Sequence, residues 1–143
     1  MKYKKPSGGR QELAMRIGNL LGTSMSDLGK QQERFSLFLA RYILELNSRG
    51  YDVRGGEWFR PQEMEELDVA KGLSGTHHSK HTVRCATDLY IFKTGQQITD
   101  EKELAELGAL WESYDLDCEW GGRWVTPHDT PHFQFAFPSK KGT

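Results

Sequence analysis

The side chains best suited to chemistry are five histidines, which fall into two polar clusters with acidic residues in or near them. The first cluster is residues 76–81 (THHSKH), followed by Asp88, and the second is residues 127–132 (PHDTPH). Imidazole nitrogens and carboxylate oxygens are ligands that zinc takes in proteins. A hydrolytic zinc site needs three such ligands, an open position for water and a nearby acid that is not a ligand. The two clusters therefore predict a centre that binds a metal ion and activates water.

Within these clusters His81, Asp88 and His132 can supply the three ligands, and Asp129 can supply the acid–base group. Asp129 precedes His132 by three residues, and Pro131 between them excludes a helix interior, so a tight turn would aim both side chains into one pocket. His81 precedes Asp88 by seven residues, which would place them on opposite faces of one straight strand. They converge only if His81 lies in a loop before that strand. A histidine-rich surface loop without a metal is the alternative on composition alone.

The elements that must position these residues follow from the apolar pattern. Apolar side chains at three- and four-residue steps predict helices over residues 11–22, 35–46, 61–72 and 100–113, with a polar connection over 23–30. Short apolar runs and alternation predict extended segments over residues 51–59, 86–92 and 132–137, with a polar loop over 73–85. Helices that precede most of the strands favour an α+β fold.

Length and composition predict an ordinary globular protein. The chain has 143 residues, of which 36% are hydrophobic and 27% are charged, and these values exclude collagen-like, coiled-coil and broadly disordered classes. No apolar run approaches the roughly 20 residues that a membrane-spanning helix needs. Met1 is followed by a basic, polar stretch without the apolar segment of a secretory signal, so we expect no membrane span and synthesis in a cytosol.

The charge is unevenly distributed along the chain. Residues 1–60 carry 11 Lys and Arg against 6 Asp and Glu, whereas residues 61–143 carry 8 against 14. Residues 1–10 hold four basic side chains and no acid, and we expect a flexible basic arm there. The alternative is contact of the arm with an anionic surface such as nucleic acid, lipid or a wall polymer. Cys85 and Cys118 are too few for a disulfide framework, and we expect free thiols, with a disulfide as the alternative.

Four short motifs resemble those of a known family. The string SKHTVRCATDL at residues 79–89 resembles the Ser-x-His-(x)6-Asp-Leu signature of the D-alanyl-D-alanine carboxypeptidase-like zinc peptidases. The string DTPHFQF at residues 129–135 resembles their second signature, acid-x-x-His-Phe. The segments CEWGGRW at 118–124 and GEWFRPQEMEEL at 56–67 are similar to the segments that these enzymes carry at the same places. The resemblance runs, in the same order, from about residue 35 to residue 137.

The resemblance implies a peptidase that holds one zinc ion per chain on a small antiparallel sheet packed against several helices. His81, Asp88 and His132 match the zinc ligands of the family, and Asp129 matches its catalytic acid–base residue. Arg60 matches an arginine that contacts the substrate and stabilises the developing oxyanion, a role that suits a fixed guanidinium. Taken without the family, the sequence favours a surface salt-bridge partner for Arg60.

Further residues are expected to contact the substrate or to depart from the family pattern. Ser79 matches the serine two residues before the first ligand and is expected to orient the substrate or the ligands. Trp120 and Trp124 are expected to line the substrate groove. Arg84 stands where a glycine is usual, and Gln134 stands where a glutamate is common. The departure at Arg84 affects the backbone path after the first ligand, and the departure at Gln134 affects one hydrogen bond behind the ligands.

The activity that the resemblance implies is cleavage of bacterial peptidoglycan stem peptides. The chain is most similar to phage L-alanyl-D-glutamate endopeptidase endolysins, which predicts the L-Ala–D-Glu bond as the target, with D-Ala-D-Ala carboxypeptidase action as the alternative. The rival from another class is a non-catalytic module that binds the wall or nucleic acid. We expect one catalytic domain over residues 1–143, a monomer, and no nucleic-acid partner. Synthesis is expected in the host cytoplasm, with action at the periplasmic wall after release through a pore.

Overall fold

The computed structural model describes residues 25–76 and 78–141. The predicted basic arm, the predicted helix over residues 11–22 and His77 lie outside the described residues. The helices are α1 (Met25–Ser48), α2 (Gln62–Ala70) and α3 (Glu101–Glu112). The strands are β1 (Asp52–Gly55), β2 (Ala86–Lys93), β3 (Gln96–Gln97), β4 (Cys118–Trp120) and β5 (His132–Phe135), with 3-10 turns over Lys80–Val83 and Gly121–Arg123. Among the described helices, none combines the length and apolar character needed to cross a bilayer.

Helix α1 is longer than its sequence pattern predicts. It begins at Met25, so part of the segment that was expected to be a polar connection is helical. Leu28 and Gln31 are buried in that part and extend the face that continues with Phe35. The glutamine, lysine and arginine residues of this stretch are good helix formers. A buried polar glutamine in place of an apolar residue explains why the apolar periodicity stops short.

The strands form one antiparallel sheet in the order β1-β2-β5-β4, with β3 paired to β2. Strand β2 is central, and its first half pairs with β5 so that Asp88 lies opposite His132. Its second half pairs with β1, where Val53 lies opposite Ile91. Strands β1, β3 and β4 are short, and the sheet therefore stays small. The α+β fold with a small antiparallel sheet is confirmed.

The hydrophobic core lies between the sheet and the helices α1 and α3. Its centre is a cluster of buried aromatic rings in edge-to-face and tilted contacts, with centroids 5.3–6.2 Å apart, contributed by Phe35, Tyr42, Trp111, Phe133 and Phe135. Ring pairs of this geometry contribute about 0.5–1.5 kcal/mol beyond their buried area. The hydroxyl of Tyr42 donates to the carbonyl of Leu107 over 2.8 Å, so its polar end is satisfied inside the core.

A buried carboxylate ties the amino-terminal helix to the end of the chain. Asp117 is fully buried and accepts hydrogen bonds from Gln31 (3.1 Å) and Arg34 (2.8 Å) on α1. It also accepts from the hydroxyl of Ser139 (2.6 Å) and from the backbone N–H of Lys140 (2.7 Å). A buried charge costs several kcal/mol of desolvation unless its partners compensate for it. The four donors therefore offset the desolvation of Asp117, and the carboxylate in turn accepts their hydrogen bonds.

We predict that Asp117→Asn lowers the free energy of unfolding at pH 7 by about 3 kcal/mol, because the amide has one acceptor oxygen where the fully buried carboxylate has two, so at least one of the donors loses its acceptor. Urea denaturation followed by circular dichroism measures this change. The matched control is Glu45→Gln, which breaks an exposed i,i+4 pair with Arg49 and should cost less than about 1 kcal/mol. Equal losses in the two variants would contradict the prediction.

The stability that Asp117 contributes should also depend on pH. Burial by itself would raise the pKa of this carboxyl group, but the hydrogen bonds from Ser139 and Arg34 outweigh burial and lower it. A carboxyl group with a lowered native pKa stabilises the folded state above its unfolded pKa of about 3.9, and the contribution is lost as the pH falls towards the native pKa. The stability difference between the wild type and Asp117→Asn should therefore shrink below about pH 4. A stability difference that stays constant from pH 7 to pH 3 would show that the negative charge of Asp117 does not stabilise the folded state.

Candidate metal centre

The fold brings His81, Asp88 and His132 together on one side of the sheet. Asp88 lies in β2, His132 begins β5, and the two are directly paired across the antiparallel ladder. His81 lies in the 3-10 turn that precedes β2. This is the placement that the seven-residue spacing between His81 and Asp88 requires. From this turn, the side chain of His81 reaches the carboxylate of Asp88.

The three side chains present ligand atoms at distances suited to a metal ion. Nε2 of His81 lies 3.1 Å from Nδ1 of His132 and 3.4 Å from Oδ1 of Asp88. Nδ1 of His132 lies 3.7 Å from the same carboxylate oxygen. Ligands held about 2.0–2.1 Å from a tetrahedral zinc ion stand about 3.3 Å apart. Two imidazole nitrogens and one carboxylate oxygen in this arrangement fit a zinc ion that keeps a fourth position open.

Burial separates the ligand groups from bulk water. His81 and His132 are 2% and 5% exposed, whereas Asp88 is partly exposed and faces the cleft. Burial by itself would raise the pKa of Asp88, but hydrogen bonding and charge interaction with the two histidines outweigh it and hold the pKa well below its usual range. The backbone of Asp88 is fixed as well, because its N–H donates to Glu57 and its carbonyl accepts from Gly56.

The turn that carries His81 is closed by local hydrogen bonds. Ser79 caps it, and its hydroxyl accepts from the N–H of His81 over 3.3 Å. Thr82 donates its hydroxyl to the carbonyl of Ser79 over 2.6 Å. The backbone N–H of Arg60 donates to the carbonyl of His81 over 3.1 Å and links the turn to the segment before α2. Ser79 therefore stabilises the turn that carries the ligand His81.

Arg84 ends this turn in the left-handed conformation, with φ 56° and ψ 33°. This is the position at which the family pattern has a glycine, and glycine adopts a positive φ without strain. A side chain costs about 1–2 kcal/mol there. The guanidinium of Arg84 stacks over the ring of Phe59 at 3.8 Å, which offsets part of that cost. The backbone path after His81 is therefore compatible with the departure from glycine.

Asp129 stands at the edge of the ligand group without joining it. Its Oδ2 lies 3.9 Å from Nδ1 of His132, and its side chain is 40% exposed. Burial raises the pKa of Asp129, and the charge of Asp88 adds to that effect, while His132 opposes it. The N–H of Asp129 donates to the carbonyl of Gly121 over 3.1 Å, which anchors the loop before β5. An acid in this position can reach a water molecule at the open side of the site.

Arg60 is enclosed by acidic side chains. It contacts Glu57 through Nη2 (2.5 Å) and Glu65 through Nη1 (2.6 Å), and its Nε lies 3.6 Å from Asp68. Glu65 is fully buried, and its second oxygen accepts from the hydroxyl of Ser74 over 2.5 Å. The acidic pattern of α2 gives no sign that one of its glutamates is buried. Glu65 is thus a supporting residue that the sequence did not reveal.

An open cleft of about 770 Å³ lies over the ligand group. Its walls include Arg60, Ser79, Trp124 and Asp129 together with the ligands, and the loop over 72–76 forms one rim. The size falls within the range of small-molecule and peptide sites. The ring of Trp124 lies 5.0 Å from the ring of His132, so this tryptophan both lines the cleft and packs against a ligand.

Trp120 does not line the cleft, which corrects the expectation that it contacts the substrate. It is 2% exposed, and its ring packs tightly against Gly108 of α3 and Gly122. Its indole N–H donates to the carbonyl of Thr130 over 2.8 Å. Trp120 therefore acts from the core, where it holds the loop before β5 in place. Its position in the sequence between an acidic residue and two glycines did not distinguish a groove residue from a core residue.

Comparisons with known proteins identify relatives of this chain. Residues 73–135 match the model of a family described as D-alanyl-D-alanine carboxypeptidase. An L-alanyl-D-glutamate peptidase of Listeria phage A118 is 31% identical to the chain over 101 residues, which make up 68% of this chain and 36% of that relative. The chain therefore spans little more than a third of the length of this curated relative.

A solved structure shows the same likeness. The crystal structure of the L-Ala D-Glu endopeptidase ChiX of Serratia marcescens superposes with a TM-score of 0.56 at 25% sequence identity, covering 75% of this chain and 79% of that one. The family match spans His81, Asp88 and His132 as well as Asp129. These comparisons confirm the resemblance that the sequence motifs predict, and the segment that builds the ligand group is a match to the D-alanyl-D-alanine carboxypeptidase family.

Proposed function

We propose that the protein is a zinc-dependent peptidoglycan peptidase that cleaves the L-Ala–D-Glu bond of stem peptides. The observation that carries this proposal is the meeting of two imidazole nitrogens and one carboxylate oxygen, 3.1–3.7 Å apart, in the wall of an open cleft. His81, Asp88 and His132 would hold the ion. When bound in such a site, zinc lowers the pKa of a coordinated water to about 7 and polarises the scissile carbonyl.

Asp129 is the proposed acid–base residue. Its carboxylate lies beside His132 but outside the group of three, where it can take a proton from the attacking water and later give it to the leaving amine. The raised pKa of Asp129, caused chiefly by burial, is in the direction that favours proton transfer. The anchoring of its backbone to Gly121 holds the carboxylate near the open side of the cleft.

Arg60 is the proposed oxyanion-stabilising residue. Its guanidinium lines the cleft, and the contacts with Glu57 and Glu65 hold it in one orientation. A charged group that is fixed before the reaction stabilises developing negative charge without reorganisation during the reaction. The carboxylates offset part of the positive charge of Arg60, so its contribution depends on which N–H group still faces the substrate. Ser79 and Trp124 are the proposed substrate-contacting residues on the cleft wall.

The proposed bond specificity draws on the named relatives. The phage relative is called an L-alanyl-D-glutamate peptidase, and the Serratia marcescens enzyme is called an L-Ala D-Glu endopeptidase. The matching family is described as D-alanyl-D-alanine carboxypeptidase, and that activity is the second candidate. The names of both relatives favour the endopeptidase activity.

The proposed setting is degradation of the bacterial wall during phage lysis. The name of the phage relative supports this setting. Under this proposal the enzyme reaches the periplasmic wall from the host cytoplasm through a membrane pore. Cell-wall stem peptides are then the physiological substrate, and nucleic acid has no part in the activity.

We predict that Asp129→Asn retains zinc binding but lowers the rate of muropeptide cleavage by about 10²–10⁴-fold, because the water loses its proton acceptor. His132→Ala should lose both zinc and cleavage, since it removes a ligand. Mass spectrometry of purified muropeptides after digestion gives the rate and identifies the bond, while metal analysis of the same samples gives zinc content. An Asp129→Asn protein with full lytic activity would refute the assignment of Asp129. Release of terminal D-Ala in place of L-Ala–D-Glu cleavage would establish the second candidate.

We predict that removal of zinc with a chelator abolishes cleavage and that added Zn²⁺ restores it. Because zinc binds the folded protein, it should also raise the midpoint of thermal unfolding in proportion to the logarithm of its free concentration. Differential scanning fluorimetry at several Zn²⁺ concentrations measures this shift. The shift should disappear in His132→Ala. A protein that purifies without stoichiometric zinc, and whose activity is insensitive to chelation, would support the non-catalytic binding module instead.

A further inference from the structure

A chain of polar side chains extends from the ligand group to the protein surface behind it. Nε2 of His132 lies 2.8 Å from Oε1 of Gln134, and Nε2 of Gln134 donates to Oε2 of Glu119 over 2.5 Å. Oε1 of Glu119 pairs with the ammonium group of Lys140 over 2.6 Å. His132 and Gln134 are 5% and 8% exposed, so the contact between them lies out of bulk water. Apart from His132, no residue in this chain of polar side chains is one of the three ligands or the acid–base residue.

We propose that Gln134 and Glu119 are a positioning pair that fixes the proton of His132 on Nε2 and so presents Nδ1 to the metal ion. This inference rests on the proposed zinc site. Neither residue belongs to the group of three ligands, and the pair acts through the imidazole ring of His132. Groups that hydrogen-bond the distal nitrogen of a histidine ligand set its tautomer and orientation.

The orientation of the Gln134 amide follows from its neighbours. A carboxylate can only accept hydrogen bonds, so the side of Gln134 that faces Glu119 must be its NH₂ group. The other oxygen of Glu119 accepts from the ammonium group of Lys140, which can only donate. The carbonyl oxygen of Gln134 must then face His132, where it can only accept. Nε2 of His132 therefore carries the proton.

The proton position determines which atom is left to bind a cation. A neutral imidazole with its proton on Nε2 has an unshared electron pair on Nδ1. Nδ1 is the nitrogen that faces His81 and Asp88. Without the pair, the proton could move to Nδ1, where it would point at the ligand group and exclude a cation. Strand β5 enforces the arrangement, because His132 and Gln134 are two residues apart and project from the same face.

A single carboxylate could both accept the hydrogen bond from His132 and carry the negative charge. Here Gln134 and Glu119 share these two roles. Gln134 is neutral and contacts the ligand, while the negative charge lies one step further away on Glu119. A second carboxylate at position 134 would stand against Glu119 at hydrogen-bond distance, with no proton between them. Such a pair of like charges disfavours the arrangement. The amide is therefore matched to Glu119, and neither residue can change its charge without the other.

The experiment measures the affinity of the full chain for Zn²⁺ by competition with a chromophoric chelator, together with the imidazole ¹⁵N shifts of His132. Gln134→Leu keeps the approximate volume and removes both hydrogen bonds. We expect it to weaken zinc binding by about 10–100-fold. The matched control is Gln31→Leu, which removes another buried glutamine that contacts Asp117 instead of the ligand group. The control should lower thermal stability without changing zinc affinity.

A charge-swap series guards against a general folding defect. Gln134→Glu alone should weaken zinc binding, whereas the double variant E119Q/Q134E should restore it, because the amide then donates to the carboxylate that holds His132. In the wild type, the ¹⁵N shifts should report a proton on Nε2. Unchanged affinity in Gln134→Leu, an equal loss in Gln31→Leu, or no rescue in the double variant would overturn the positioning pair. A wild type that binds zinc but leaves muropeptides intact would contradict the proposed peptidase, while the ratio of zinc affinities would still decide the role of the pair.

Discussion

The pairing of β2 with β5 is the constraint on which the rest of the site depends. Side chains alternate across a strand, and in β5 the two aromatic residues Phe133 and Phe135 face the core while His132 and Gln134 face the ligand group. A shift of one residue in the register would exchange the two sets. It would bury polar groups among aromatic rings and remove the histidine from Asp88. The same register of β5 therefore determines both the packing of the core and the geometry of the site.

The site is also supported by buried polar side chains that contact the groups facing the cleft. Glu65 behind Arg60 and Gln134 behind His132 are both buried, and each has its hydrogen-bonding groups satisfied. A buried polar group destabilises the folded state when a hydrogen-bonding partner is missing. When all of its partners are present, its side chain is held rigidly. This explains how a small sheet can hold several charged groups close together. The orientations of Arg60 and His132 are each held by a buried partner.

Much of the site could be predicted from the sequence, because the ligand residues lie in short motifs with fixed spacing. The requirement that His81 precede the strand followed from alternation alone, and the structure places it in a turn. The limits lie in side chains whose surroundings are set by distant parts of the chain. The burial of Trp120 depends on two glycines, one of them in α3, and the helical residues before Phe35 continue a buried face through Gln31, which apolar periodicity does not detect. Local patterns identify the groups that do chemistry better than the groups that support them.

The left-handed conformation of Arg84 has a consequence for how relatives of this chain can be found. The turn after His81 requires a left-handed backbone conformation at position 84. It does not require glycine, because the stacked guanidinium of Arg84 offsets part of the cost of a side chain there. A search pattern that insists on glycine at this position would miss chains whose ligand residues are intact. A pattern built on the spacing of histidine and aspartate, with the turn position left open, would retain them. Tolerance at one strained residue thus widens the range of sequences that can carry the same ligand arrangement.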